Sequence, residues 1–567
     1  MTRKRAVEVA AALAAVALVT GCGGAGTAGR RQAGGITNGV FKPAQPGAAQ
    51  YGADPAATCP TSNIFKHLQE QLILFAREQG KQPPQPDGRL CEVAQTLAGW
   101  SESDTPPESV TSIVSWHHGL PAPAARVAVV TFETDDSRVV AGRLLEPIQR
   151  FAADAAAPRY GVVTERVRRS PSASSSSPSS GDSTAGAVRA VRAANTKAVI
   201  VLYDAAAELE QPVTRQLPAG GQARLAGHLA PGLTKATVLV TDPAGKLDQP
   251  TQTGSAFQAD LRCGEKLGLL LVEVRGEKNG GQVSAARFPI ACGVEAPSTA
   301  PVGPLKAGPI DEVQAARKVF EDINADRATV GAPPVQWDDA VAKVAKSAAD
   351  ATRDESKAGG AGAVDFDVVA QLKKADVVSA LVLMNPAAAR SAEEAQWRMA
   401  HSPVHRANML NPQATHGAVA VSTYQDPAVG AVYFVNELLV RQLQPVDTDK
   451  ARAQLRAAVA RKRSDARAGP LASDPMLEEV AQKYATALAA ARGDLPKAQA
   501  DAILAPLYKS FRTVGLVGGA KGDAVEFAEE SGVVAPAKVL GVGVAGGSNA
   551  VLGKNTPYVI ILVGTRR

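Results

Sequence analysis

Aromatic residues make up only 4% of the 567-residue chain, so its cores must be built mainly from Ala, Val and Leu. Cysteine is scarce too: there are five, and no two stand as Cys-x-x-Cys, which argues against a zinc–thiolate site. No Gly-x-Ser-x-Gly and no His-Glu-x-x-His occurs, so the sequence marks of a serine-hydrolase elbow and of a zinc protease are both missing. A charge excess of one sign is also lacking. The net charge is only +6, basic residues are spread among acidic ones, and no aromatic–basic interleaving marks a nucleic-acid surface. Length, by contrast, is ample, with room for about four domains.

The amino terminus is the clearest segment. Arg3-Lys4-Arg5 is a basic start, and Ala10 to Val19 is an apolar run too short to span a bilayer comfortably. It ends in Val19-Thr20-Gly21-Cys22, which resembles the bacterial lipobox. The resemblance implies a signal peptide over 1–21, lipidation of Cys22 and export to the cell envelope. Acyl chains contribute about 0.8 kcal/mol per buried methylene, so a multiply acylated Cys22 would hold the chain to a membrane. Gly23 stands where enteric inner-membrane lipoproteins carry Asp, which points toward the outer membrane or cell surface. In that oxidising compartment Cys59, Cys91, Cys263 and Cys292 admit three pairings, and proximity favours Cys59–Cys91 and Cys263–Cys292. Loops of about thirty residues would each give roughly 3–4 kcal/mol in the chain-entropy model.

Residues 22–58, rich in Gly, Ala and Pro, read as a flexible tether. Residues 169–186, with Ser174 to Ser177, read as a disordered loop, and 295–309, with four prolines, as a linker. An internal repeat lies between them. Asp338 and Asp474 each open a helical period, with Val341, Val344, Ala345 and Ala348 on one face in the first and Leu477, Val480, Ala481 and Tyr484 in the second. Each Asp is placed to cap its helix. A fainter copy runs from Arg77 through Asp87 to Leu90, Val93, Ala94 and Leu97. Later in each copy come a glycine-marked strand, at Gly161, Gly417 or Gly541, and an apolar strand. Three related α/β units are expected, over 59–205, 310–443 and 444–567. Residues 206–294 differ: short strands at 236–241, 256–261, 269–274 and 283–290 suggest a small β-sandwich, with Cys263 and Cys292 just beyond two of them.

Three of the seven histidines fall between positions 401 and 416. Trp397, the run Ser402-Pro403-Val404-His405-Arg406-Ala407-Asn408-Met409-Leu410, the Gly417 strand and the Val432-Tyr433-Phe434-Val435 strand follow Ile323 to Arg327 and Pro334 to Asp338. This set resembles the CAP superfamily, the cysteine-rich secretory, antigen 5 and pathogenesis-related proteins, over roughly 310–443. The resemblance implies an α/β/α sandwich around an antiparallel sheet, with the other two copies as degenerate CAP-like domains. Family members gather two histidines and two acids in a cleft that can hold a divalent metal. His405 matches the second histidine. The other three positions depart from the pattern. No His occurs between Trp337 and His401, the expected Gly-Glu-Asn region reads Val378-Ser379-Ala380-Leu381, and Arg398-Met399-Ala400 replace the acid after the Trp. One ligand cannot hold a metal, so neither metal nor cofactor is expected.

His401, His405 and His416 could form a replacement site, but Pro403 breaks the helix between the first two and no acid lies there. Local roles are expected instead: His405 and Arg406 bonding nearby groups, Asn408 capping or turning the chain, His416 at the sheet rim. His117-His118 reads as a turn or exposed loop. These features lead to a non-catalytic, lipid-anchored envelope protein. Its CAP-like modules would serve a structural role or bind a protein, glycan or lipid partner, with His401, His405, Arg406, Asn408 and His416 as cleft candidates. A lipid or sterol carrier is the alternative, and a metal-assisted hydrolase a more distant one.

Overall fold

The computed structural model describes residues 34–37, 40–44, 46–53, 58–100, 106–123, 125–167, 195–302, 311–358, 366–379, 381–426 and 430–567. Cys22, the signal segment and the Ser-rich run at 169–186 lie outside the described residues. The chain is α/β with antiparallel sheets. It opens with β1 (Gly34–Thr37), β2 (Val40–Pro43) and β3 (Gln50–Tyr51). The first unit follows: α1 (Asn63–Glu78), β4 (Gln85–Pro86), α2 (Gly88–Thr96), α3 (Glu108–His117), β5 (Arg126–Phe132), α4 (Ser137–Asp154), β6 (Pro158–Val167) and β7 (Asn195–Asp204). Its sheet runs β4-β6-β7-β5, with only β4 parallel to its neighbour. The Cys59–Cys91 disulfide ties the segment before α1 to α2.

The β-sandwich comprises β8 (Ala207–Leu209), β9 (Val213–Thr214), β10 (Gln216–Leu217), β11 (Gln222–Leu229), β12 (Thr234–Thr241), β13 (Leu247–Asp248), β14 (Ala256–Arg262), β15 (Gly268–Lys278) and β16 (Gly281–Cys292). One sheet is β10-β16-β15-β12-β13 and the other β14-β11-β8. Alternation packs Leu270, Val272 and Val274 of β15 inward, all fully buried. The Cys263–Cys292 disulfide joins the end of β14 in one sheet to the end of β16 in the other. Beyond it β17 (Ala300–Pro301) pairs with β2, while β3 pairs with β9.

These pairings correct two expectations: 34–37, 40–43 and 50–51 are paired strands within the expected tether, and 300–301 is a paired strand within the expected linker. Phe41 (3% exposed) and Tyr51 (0%) enter the same core as the sandwich and the first unit, which accounts for their order.

The second unit contains α5 (Glu312–Thr329), β18 (Gln336–Trp337), α6 (Asp339–Lys357), α7 (Val368–Lys374), β19 (Val382–Ala389), α8 (Ala392–Ala400), α9 (Pro403–Met409), β20 (His416–Asp426) and β21 (Gly430–Val440). The sheet is β18-β20-β21-β19. Val341, Val344 and Ala345 of α6 pack on one face with Ala418 and Leu438. Val319, Ile323, Ala395 and Met409, from α5, α8 and α9, pack on the other with Val419, Val435 and Leu439. The last unit holds α10 (Thr448–Asp465), β22 (Ala472–Ser473), α11 (Pro475–Ala490), α12 (Lys497–Ser510), β23 (Phe511–Ala520), two short 3-10 turns at 524–534, β24 (Val539–Asn549) and β25 (Gly553–Arg566). Its sheet runs β22-β24-β25-β23, the strand order of the other two.

One joint recurs in all three units. The backbone N–H of Asp87, Asp338 and Asp474 donates to the sheet, to the carbonyls of Tyr160, Gly417 and Leu540, while the carboxylate caps α2, α6 and α11. That register aligns Gly161 and Gly541 with Ala418, not with Gly417. A Cβ at Gly161 would lie 2.3 Å from the Leu90 carbonyl carbon, and one at Gly541 2.2 Å from that of Leu477, so helix and strand backbones meet there.

Candidate functional site

Ser391 caps α8 by accepting from the Glu394 N–H, and the helix ends at Ala400. Pro403 takes the first turn of α9, where its missing N–H costs no bond. Two short helices therefore replace one continuous helix, and the His401–His405 spacing does not put both rings on one face. His401 stacks on Trp397 at 4.1 Å between centroids, and its Nδ1 bonds the Trp397 carbonyl at 2.8 Å. Burial holds its pKa down at about 4. His416 begins β20 and contacts the Thr415 hydroxyl at 3.0 Å. Among the described residues, no group of three or more His, Cys, Asp or Glu side chains could hold a metal ion.

His405 lies on α9, which packs against β12 of the sandwich. Burial lowers its pKa to about 4, with further lowering from the Arg287 charge. Arg287 belongs to an ion cluster on β15 and β16, where Glu273, 0% exposed, lies 2.6 Å from Arg287 and 2.9 Å from Arg275. Burial alone would raise the Glu273 pKa, but the two arginines hold it at about 2. The docking of α9 is direct. The Thr241 hydroxyl of β12 donates to the Pro403 carbonyl at 2.8 Å, and Leu410 lies so close to Gly245 that a Cβ there would be 2.5 Å away.

On the other side of α9 lies a buried polar cluster that sequence reasoning missed. Asn385 Nδ2 donates to the His405 carbonyl and to Glu437 Oε2, each at 2.9 Å, and Asn385 Oδ1 accepts from Asn408 at 2.9 Å. Glu437 is 0% exposed, and its Oε1 has no hydrogen-bond partner among the described residues. Burial pushes its pKa up to about 8. Arg406 reaches Asp326 at 3.7 Å, and burial raises the Asp326 pKa against the pull of that guanidinium. The only advance signal was the polar pair Asn436-Glu437 within an otherwise apolar strand. Of the sequence candidates, Asn408 and the His405 backbone join this cluster through Asn385, while His401 and His416 point elsewhere.

The first unit closes the remaining side. Trp116 of α3 stacks on Trp397 at 5.6 Å, and its indole N–H donates to the Arg287 carbonyl at 2.9 Å. Glu108 pairs with Arg398 at 3.1 Å, and the Glu108 N–H donates to Glu394 Oε1. Arg398, which stands where the resemblance places an acid, therefore serves the joint with α3. His117 and His118 correct another expectation. His117 ends α3 and His118 lies in the turn that follows, but neither is in an exposed loop: His117 is 4% exposed, and His118 contacts Glu92 at 3.2 Å and Thr96 at 2.9 Å.

Residues 320–437 match the family described as CAP, the cysteine-rich secretory protein family. No curated protein matches the chain. Solved structures with similarity include an extracellular protein containing a SCP domain from Bacillus anthracis (16% identity, 33% of this chain and 64% of that one, TM-score 0.20). A cysteine-rich secretory protein from Staphylococcus aureus matches at 14% identity over 30% of this chain and 58% of that one, with a TM-score of 0.19. An outer surface protein from Borrelia burgdorferi matches at 14% identity over 23% of this chain and 97% of that one, with a TM-score of 0.20. The chain spans less than two thirds of the length of the first two.

Proposed function

We propose that this chain, a member of the CAP superfamily through residues 320–437, is a non-catalytic binding or structural protein of the cell envelope. The observation that carries this reading is the docking of α9 onto β12, where Thr241 bonds Pro403 and Leu410 packs on Gly245. The motif helix acts as an internal joint, so its histidine faces another part of the same chain. The CAP domain thereby fixes the sandwich and the first unit in one arrangement, whose outer surfaces meet the partner. Units 59–205 and 444–567 are diverged copies of the same domain, a reading supported by the shared strand order and the recurring Asp cap. Cys22 carries the lipid that holds the chain to the membrane.

Thermal melts with and without added zinc or calcium test the non-catalytic part. A ligand specific to the native state raises the melting temperature, so no shift is expected. A rise of several degrees that disappears in His405→Ala would sink the proposal. Fractionation of Cys22→Ala tests the anchor: release from the membrane is expected, and unaltered membrane attachment would refute it.

A further inference from the structure

We infer that the open end of the last sheet is a docking surface for an anionic membrane. Residues 444–567 hold 17 Lys and Arg against 12 Asp and Glu, whereas 310–443 hold 13 against 17. Much of the basic excess collects at one end of the β24-β25-β23 edge. Phe511 pairs with Arg566, the Arg567 N–H donates to the Ser510 carbonyl, and the Lys538 N–H donates to the Gly564 carbonyl. Strands lie about 4.8 Å apart, so Arg512, Lys538, Arg566 and Arg567 fall at the adjacent ends of three strands, with Lys509 in the last turn of α12 beside them. All five are exposed.

The carboxylates bonded at this end are already matched. Asp474 lies 2.6 Å from Arg566, and Glu478 lies 2.6 Å from Arg456. Among the described residues no ion pair engages Lys509, Arg512, Lys538 or Arg567. Tyr508 stands beside them, 57% exposed, and its carbonyl accepts from Arg567. Cations flanking an exposed tyrosine suit a bilayer interface, where the ring sits at headgroup depth and the cations meet anionic lipid. This surface is separate from the α9 joint and does not depend on a lipid at Cys22.

The test uses the full chain with Cys22→Ser, so that no acyl group contributes, and vesicles of phosphatidylcholine with or without phosphatidylglycerol. Sedimentation should show binding only to the anionic vesicles, lost in high salt because screening shortens the reach of each charge. Lys509→Glu/Arg512→Glu/Lys538→Glu should weaken it by at least about tenfold, since each cation near such a surface contributes substantially. A matched reversal at exposed sites elsewhere, Lys266→Glu/Lys343→Glu/Lys373→Glu, should leave most of it. Equal binding to neutral vesicles, no binding to anionic ones, or equal loss in both triple variants would overturn the inference. Circular dichroism of both variants distinguishes lost binding from lost fold.

Discussion

Glu437 is held in a setting that favours its neutral form, with one oxygen bonded to Asn385 and the other without a partner among the described residues. Its folded pKa of about 8 lies above the ordinary carboxylate value. Its stabilising effect is therefore fully present below about pH 4.5 and is lost as pH rises through 8. His401 and His405 act in the opposite sense. Their folded values near 4 lie below the ordinary 6.5, so stability is present above 6.5 and lost as pH falls through 4. Glu437→Gln should flatten the alkaline limb of a plot of melting temperature against pH and leave the acid limb. Its gain at pH 8 should be on the order of a few kcal/mol. An unchanged alkaline limb would show that the carboxyl does not titrate there. Arg327 supplies a second prediction. It is 0% exposed and donates to the carbonyls of Pro333, Met409, Asn411 and Ala414. Arg327→Ala should cost about 3–5 kcal/mol in chemical denaturation because those acceptors stay buried. Lysine should not rescue it, lacking the planar fork of donors.

Elements show what the sequence could and could not reveal. The Asp caps were legible because capping is local: a short polar side chain before a helical period has few other uses. Arg463 repeats the Arg327 device, bonding the carbonyls of Gly469, Val533 and Ala535, whereas Arg77 in the first unit is exposed. The edge strand β19 escaped notice because Val382 to Ala389 carries Pro386 and three alanines and does not alternate. The α9 joint escaped because docking between units leaves no periodic mark. The glycine alignment was off by one residue because two of the three units use glycine where the middle one uses Ala418. Gly541→Ala should therefore cost about 1–3 kcal/mol through overpacking against α11, while Ala418→Gly should cost no more than a small fraction of the total. If Gly541→Ala melts like the parent chain, the helix–strand contact is looser than the 2.2 Å approach implies.

At the scale of the whole molecule the connections between parts are unequal. One core runs through the first unit, β2, β3 and the sandwich and takes in Trp397 of the second unit. The two cores of the last unit draw only on its own residues. Its attachment to the second unit is narrower: Lys554 pairs with Asp376, Asn555 donates to the Leu443 carbonyl at 2.9 Å, and Gly553 and Gly522 lie close against Val378 and Arg441. Both disulfides lie in the larger body, Cys59–Cys91 and Cys263–Cys292, and the last unit has no cysteine. Calorimetry should therefore resolve two transitions. Reduction should lower only the one belonging to 34–443, since closing loops of 32 and 29 residues is worth roughly 3–4 kcal/mol each. Trp397→Ala should move the same transition, because it removes the ring stacked on Trp116, at a cost of about 3–5 kcal/mol. It should also lower the cooperativity of that transition, because the second unit loses its ring contact with α3. A single transition that reduction shifts as a whole would mean that the contacts at Asp376, Val378, Arg441 and Leu443 couple the last unit tightly to the rest.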